Sequence, residues 1–127
     1  MSETQTLYHE LPSERNSVTL KLSLGGLTGY LVTSLYGDGT PGEIMIFMSE
    51  EGRRIGFKVN SFLRTVSWSL QNGTSLQEVY NEYPKLISIH NPDPDVDLDF
   101  KLFADSIFEW LKRKFQLKER VFAETES

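Results

Sequence analysis

The chain has 127 residues, 39% of them apolar and 24% charged. That suits one globular domain able to bury a core without disulfides or a metal. With 18 acids against 13 bases, the net charge is −5. This excludes coating of nucleic acid or anionic membrane through bulk charge, so any basic site must be local. The absence of cysteine excludes a disulfide scaffold, a Cys-ligated zinc, a thiol nucleophile and a redox-active thiol pair.

His9 and His90 are the only histidines, too few for a His-rich metal site. No apolar run is long enough for a membrane span. The opening MSETQTLYHE has neither a basic flank nor an apolar stretch, so a cytoplasmic protein without membrane contact is expected.

In chain order, residues 1–16 are polar and without period, and read as a flexible arm from which Tyr8 and Leu11 can dock. Ser17 to Leu24 alternates, with Val18, Leu20, Leu22 and Leu24 on one side, and predicts a half-buried strand. Gly25-Gly26 breaks it, and a second strand follows at Gly29–Tyr36. The turn signal GDGTPGE leads to a third, almost wholly apolar strand at Glu43–Met48, expected to be the most buried. From Arg53 to Gln71 the period becomes 3.6, with Ile55, Val59, Phe62, Leu63, Val66 and Leu70 on one stripe and Asn72-Gly73 as the stop. Thr74 or Ser75 caps a shorter helix through Tyr83, which Pro84 is expected to end. Lys85–Ile89 is then extended or a short strand. A last helix runs from about Asp97 to Leu117, and residues 121–127 are expected to fray. The domain is therefore placed at 17–120. Its class is α+β, with a three-stranded antiparallel meander packed on a long helix and completed by a short and a C-terminal helix.

The long helix carries a second stripe. At roughly 100° per residue, Arg64 lies at about −20° and Trp68 at about +20° from Phe57, nearly opposite the core stripe. Two large aromatics and an arginine where a polar face belongs mark either burial on both sides, including at a homodimer interface, or a stacking site. In the second reading Phe57 or Trp68 holds a flat base and Arg64 a phosphate. Arg53, Arg54 and Lys58 start the helix without an acid among them. With Gly52 and Gly56 allowing close approach, they form a candidate anion cradle, although no nucleotide-binding glycine motif is present. The candidate ligand-binding residues are thus Arg53, Arg54, Phe57, Lys58, Arg64 and Trp68. Asp93, Asp95, Asp97 and Asp99 alternate, but Leu98 and Ala104 stand where a calcium loop needs Gly and Glu, so they read as helix-start acids. No catalytic constellation, metal site or cofactor is implied.

Three stretches resemble the C-terminal region of adenosylcobalamin-dependent (class II) ribonucleotide reductases. They are Gly29-Tyr30-Leu31 with Gly39-Thr40-Pro41-Gly42-Glu43-Ile44; Gly52 to Phe62 running into Ser69-Leu70-Gln71-Asn72-Gly73-Thr74-Ser75-Leu76-Gln77-Glu78; and Asp93-Pro94-Asp95-Val96 leading to Ser106-Ile107-Phe108-Glu109-Trp110-Leu111. The resemblance spans about residues 24–117 and implies a detached, non-catalytic module. The chain lacks the barrel and the radical-carrying cysteines of that group, and also the motif of the related small domain named for its Thr-Ser-Cys-Pro-Asp sequence. Small phage proteins of the Thoeris anti-defence kind, which sequester cyclic nucleotide signals, are similar in length and likewise non-enzymatic.

Two functions follow as expectations. The first is a homo-oligomer, at least a dimer, that binds a nucleotide or cyclic nucleotide signal for sequestration or sensing. The alternative is an accessory or split-off module of a class II reductase, docked on its catalytic chain and supporting deoxynucleotide synthesis.

Overall fold

Gly25 and Gly26 have φ of 58° and 82°, the two left-handed residues that a tight hairpin turn demands. They join β1 (Ser17–Leu24) to β2 (Leu27–Leu35), and β3 (Pro41–Met48) completes an antiparallel sheet of order β1-β2-β3. The second and third strands begin two residues earlier than the alternation alone indicates. Pairing across the Gly-Gly turn recruits Leu27 and Thr28, and Pro41 pairs with Leu35. The computed structural model describes residues 8–91 and 98–119. The expectations for residues 1–7, for Pro92 to Asp97 and for 121–127 lie outside the described residues.

Register places Leu20, Leu31 and Ile46 side by side on the inner face, and Lys21, Tyr30 and Phe47 on the outer one. The long helix α1 (Arg53–Gln71) follows a short 3-10 turn at Glu50–Gly52. It ends where Gly73, at φ 98°, lets the Thr74 N–H reach the Ser69 carbonyl at 3.0 Å. Then come α2 (Leu76–His90) and α3 (Leu98–Lys114). Ser75, not Thr74, caps α2, in a reciprocal capping box with Glu78.

Pro84 does not end α2, and no strand or extended segment forms at Lys85–Ile89. The helix continues to His90. An internal proline costs about 3 kcal/mol. Here the burial of Tyr80, Tyr83 and Ile87 on one helix face offsets it, each such side chain contributing about 1.5–3 kcal/mol.

The core lies where the inner sheet face meets all three helices. Phe62 of α1 is fully buried, edge-on to Phe100 at 5.8 Å, Phe108 at 6.0 Å and the His90 ring at 5.8 Å. Tyr83 stacks on Phe108 at 4.2 Å and its hydroxyl donates to Asp105 at 3.1 Å. His90 is thus a packing residue, with Nδ1 beside the Leu86 carbonyl.

β3 is an edge strand, yet α1 seals its edge. The Ser49 N–H bonds to the Thr28 carbonyl. By alternation the backbone groups of Gly42, Ile44 and Ile46 therefore point away from β2. Asn60 meets both groups of Ile46, accepting from N–H at 2.8 Å and donating to C=O at 2.7 Å. Ser67 Oγ accepts from the Ile44 N–H at 2.9 Å and donates to its C=O at 3.3 Å, and Gln71 donates to the Gly42 carbonyl at 2.9 Å. Three side chains along one stripe of α1 thereby stand in for a fourth strand.

Candidate functional site

Sealing the β3 edge orients the rest of α1. The side of the Asn60 stripe that carries Val59 and Leu63 enters the core. Its opposite side carries Phe57, Ser61, Arg64 and Trp68, all exposed, and continues the outer face of the sheet. Phe57 is 77% exposed and Trp68 66%. On the sheet, Phe47 (54%) and Tyr30 (46%) are cross-strand partners, with Lys21 next to Tyr30. The result is a basic and aromatic face on a chain of net charge −5. Ser61, Arg64, Thr65 and Trp68 form a shallow depression of about 370 Å³ within it.

Of the six residues singled out from sequence, Phe57, Arg64 and Trp68 share this face. The basic start of α1 is arranged differently. Arg53 ion-pairs with Glu50 at 2.6 Å, Arg54 is exposed and engaged in an interaction of its own, and the Lys58 ammonium sits 5.6 Å from the centre of the Phe100 ring. Gly52 and Gly56 face Met48. A Cβ at either position would lie 2.6 Å or 2.8 Å from its side chain. Their lack of a side chain accommodates the methionine. Tyr30 and Phe47 were missed because their place on the outer face depends on strand register. The signal available was their parity, opposite to that of Leu31 and Ile46.

A second concavity, about 800 Å³, lies at the β2–β3 turn, where the arm before β1 and the end of α3 converge on it. His9 and Tyr36 line it beside Asp38, Thr40, Leu70 and Phe115. The arm is tied down there: the His9 N–H donates to the Gln71 carbonyl at 2.6 Å and the Tyr36 hydroxyl to the His9 carbonyl. Burial raises the Tyr36 phenol above its ordinary value, with smaller contributions from Tyr8 and Asp38. Asp38 is held below the ordinary carboxylate range by hydrogen bonds from the Thr40 hydroxyl (2.7 Å) and N–H (3.0 Å). No Lys or Arg lines this cavity, and no acid–histidine cluster suited to a metal occurs among the described residues.

This α+β module, with a helix-sealed sheet and a basic aromatic outer face, is similar to a segment of vitamin B12-dependent ribonucleotide reductases. It is 42% identical over 104 residues to the enzyme of Rhodopirellula baltica, covering 80% of this chain and 10% of that protein. Identity to the Agrobacterium fabrum enzyme is 41% over 69 residues (54% of this chain, 5% of that protein). To the Bradyrhizobium diazoefficiens enzyme it is 38% over 105 residues (83% and 8%). The chain therefore spans a tenth or less of these relatives. No family model and no solved structure matches it. Among the described residues no helix is long and apolar enough to cross a membrane.

Proposed function

We propose that the chain is a non-catalytic accessory module of a vitamin B12-dependent ribonucleotide reductase. It docks through Phe57, Arg64 and Trp68, with Phe47 and Tyr30 extending the contact. The observation that carries this reading is the 42% identity over 80% of the chain, confined to 10% of a reductase. In this reading the segment, which has no cysteine, supplies a surface, while cobalamin and the reduction of substrate belong to the catalytic part. The exposed face supports the same reading. Trp and Arg are the side chains that most often anchor protein interfaces, and the local positive charge suits an acidic partner surface.

The test is binding of the purified chain to the B12-dependent reductase of the same organism, followed by sedimentation or biolayer interferometry. A saturable complex is expected, weakened at least about tenfold by Trp68→Ala with Arg64→Ala, as for anchor residues elsewhere. Failure to form the complex overturns the proposal. So does binding that the double variant leaves unchanged. Nucleotide titration of the same protein checks the stacking alternative. Affinity lost in the variant, without any reductase complex, would return the face to ligand binding.

A further inference from the structure

The two edges of the sheet differ. α1 closes the β3 edge, whereas among the described residues β1 has no strand paired on its outer side. Leu24 and Leu27 flank the two-residue turn and so exchange both backbone hydrogen bonds. By alternation, Leu22, Leu20 and Val18 also bond inward to β2. Ser17, Thr19, Lys21 and Ser23 consequently direct their N–H and C=O groups outward along the open edge.

Beside this edge runs a groove between β1 and α3, about 370 Å³, floored by Leu20, Leu22, Leu24 and Trp110 and rimmed by Glu109 and Arg113. The leucines and Trp110 are only half-buried. A Cβ on Gly25 would lie 3.6 Å from Asp99, so α3 starts at the turn and runs antiparallel to β1. Leu20 lies about 16 Å along β1 from that turn, a rise that α3 covers in about 11 residues. Trp110 is thereby level with Leu20.

We propose that β1 pairs antiparallel with β1 of a second copy about a twofold axis at Leu20, forming one six-stranded sheet. Three features select this occupant. Outward-bonding residues pair with outward-bonding residues, Thr19 opposite Lys21 and Ser17 opposite Ser23, so each copy satisfies the other's backbone. Lys21 disfavours the register with its axis one residue nearer the turn, which would set Lys21 against its own copy, a like-charge pair. The third feature is charge complementarity on α3. Glu109 and Arg113 lie on either side of Trp110, so the twofold axis brings the Arg113 of each copy to the Glu109 of the other. The half-buried leucines and both Trp110 rings then close over the axis.

Sedimentation of the full chain over a concentration series tests this. The expected mass is twice 14.6 kDa. Thr19→Pro removes an outward N–H, which edge strands tolerate, and should raise the dimer dissociation constant by roughly 100-fold with an unchanged far-UV circular dichroism spectrum. Glu109→Arg and Arg113→Glu should each weaken the dimer, and the two combined should restore it. That rescue keeps the proposal testable if Thr19→Pro misfolds. A monomer at every concentration overturns it, as does a dimer indifferent to Thr19→Pro or one that the combined charge reversal does not restore. A monomer whose reductase binding is lost in Thr19→Pro also overturns it, and assigns the edge to a strand of the reductase instead.

Discussion

The inner and outer faces of α1 carry the same kind of residue under opposite conditions. Phe62 is fully buried among three rings, and Phe57, five residues earlier, is 77% exposed. Both are phenylalanines on one 19-residue helix, so neither residue type nor propensity separates them. Their angular position relative to the Asn60–Ser67–Gln71 stripe does, because those side chains pin the helix along β3. Burial on the inner face stabilises the fold. On the outer face, exposed aromatic area adds nothing to folding and remains available for association.

Four substitutions break or sharpen that contrast. Phe62→Ala should cost about 3–5 kcal/mol in urea unfolding, as buried Phe truncations do. Asn60→Ala leaves both Ile46 backbone groups without their side-chain partner at a part-buried site, and should cost about 1–3 kcal/mol. Thr33 is fully buried with its hydroxyl unpaired among the described residues. Thr33→Val should therefore raise stability by up to about 1 kcal/mol, since removing an unsatisfied polar group relieves its desolvation penalty. Trp68→Ser should change stability by less than about 0.5 kcal/mol while weakening reductase binding. A loss as large as that of Phe62→Ala would show that the outer face is structural after all.

The smallest effect concerns pH. The Thr40 hydrogen bonds lower the Asp38 carboxyl in the folded state. They contribute stability above the ordinary carboxylate value, and this is lost as pH falls through the lowered one. Thr40→Val should move the Asp38 titration upward in an NMR pH series, and an unmoved titration would assign the lowering to another group.

Much of this was legible in the sequence. The bounds of α1 followed from a 3.6 period and the Asn72-Gly73 stop, and the inner-face residues of β1 from strict alternation. The outer aromatic stripe could be read from angles alone. What escaped was set by tertiary context. Pro84 breaks helices by local rule, and only the burial of Tyr80, Tyr83 and Ile87 carries α2 through it. Asn60, Ser67 and Gln71 look like ordinary solvated positions until α1 is known to lie along β3. The basic start of α1 looked like one site in sequence. In the fold Arg53 turns to Glu50 and Lys58 to Phe100, and neither joins Arg64 and Trp68 at the outer depression.

The most direct test of docking through the outer face is hydroxyl-radical footprinting of the chain, alone and mixed with the B12-dependent reductase of the same organism. Phe57, Trp68 and Phe47 should label strongly in the free protein and become protected in the mixture. Ile89, also exposed but on α2, should label equally in both. Unchanged labelling of Phe57 and Trp68 in a mixture that demonstrably contains the complex would contradict the account.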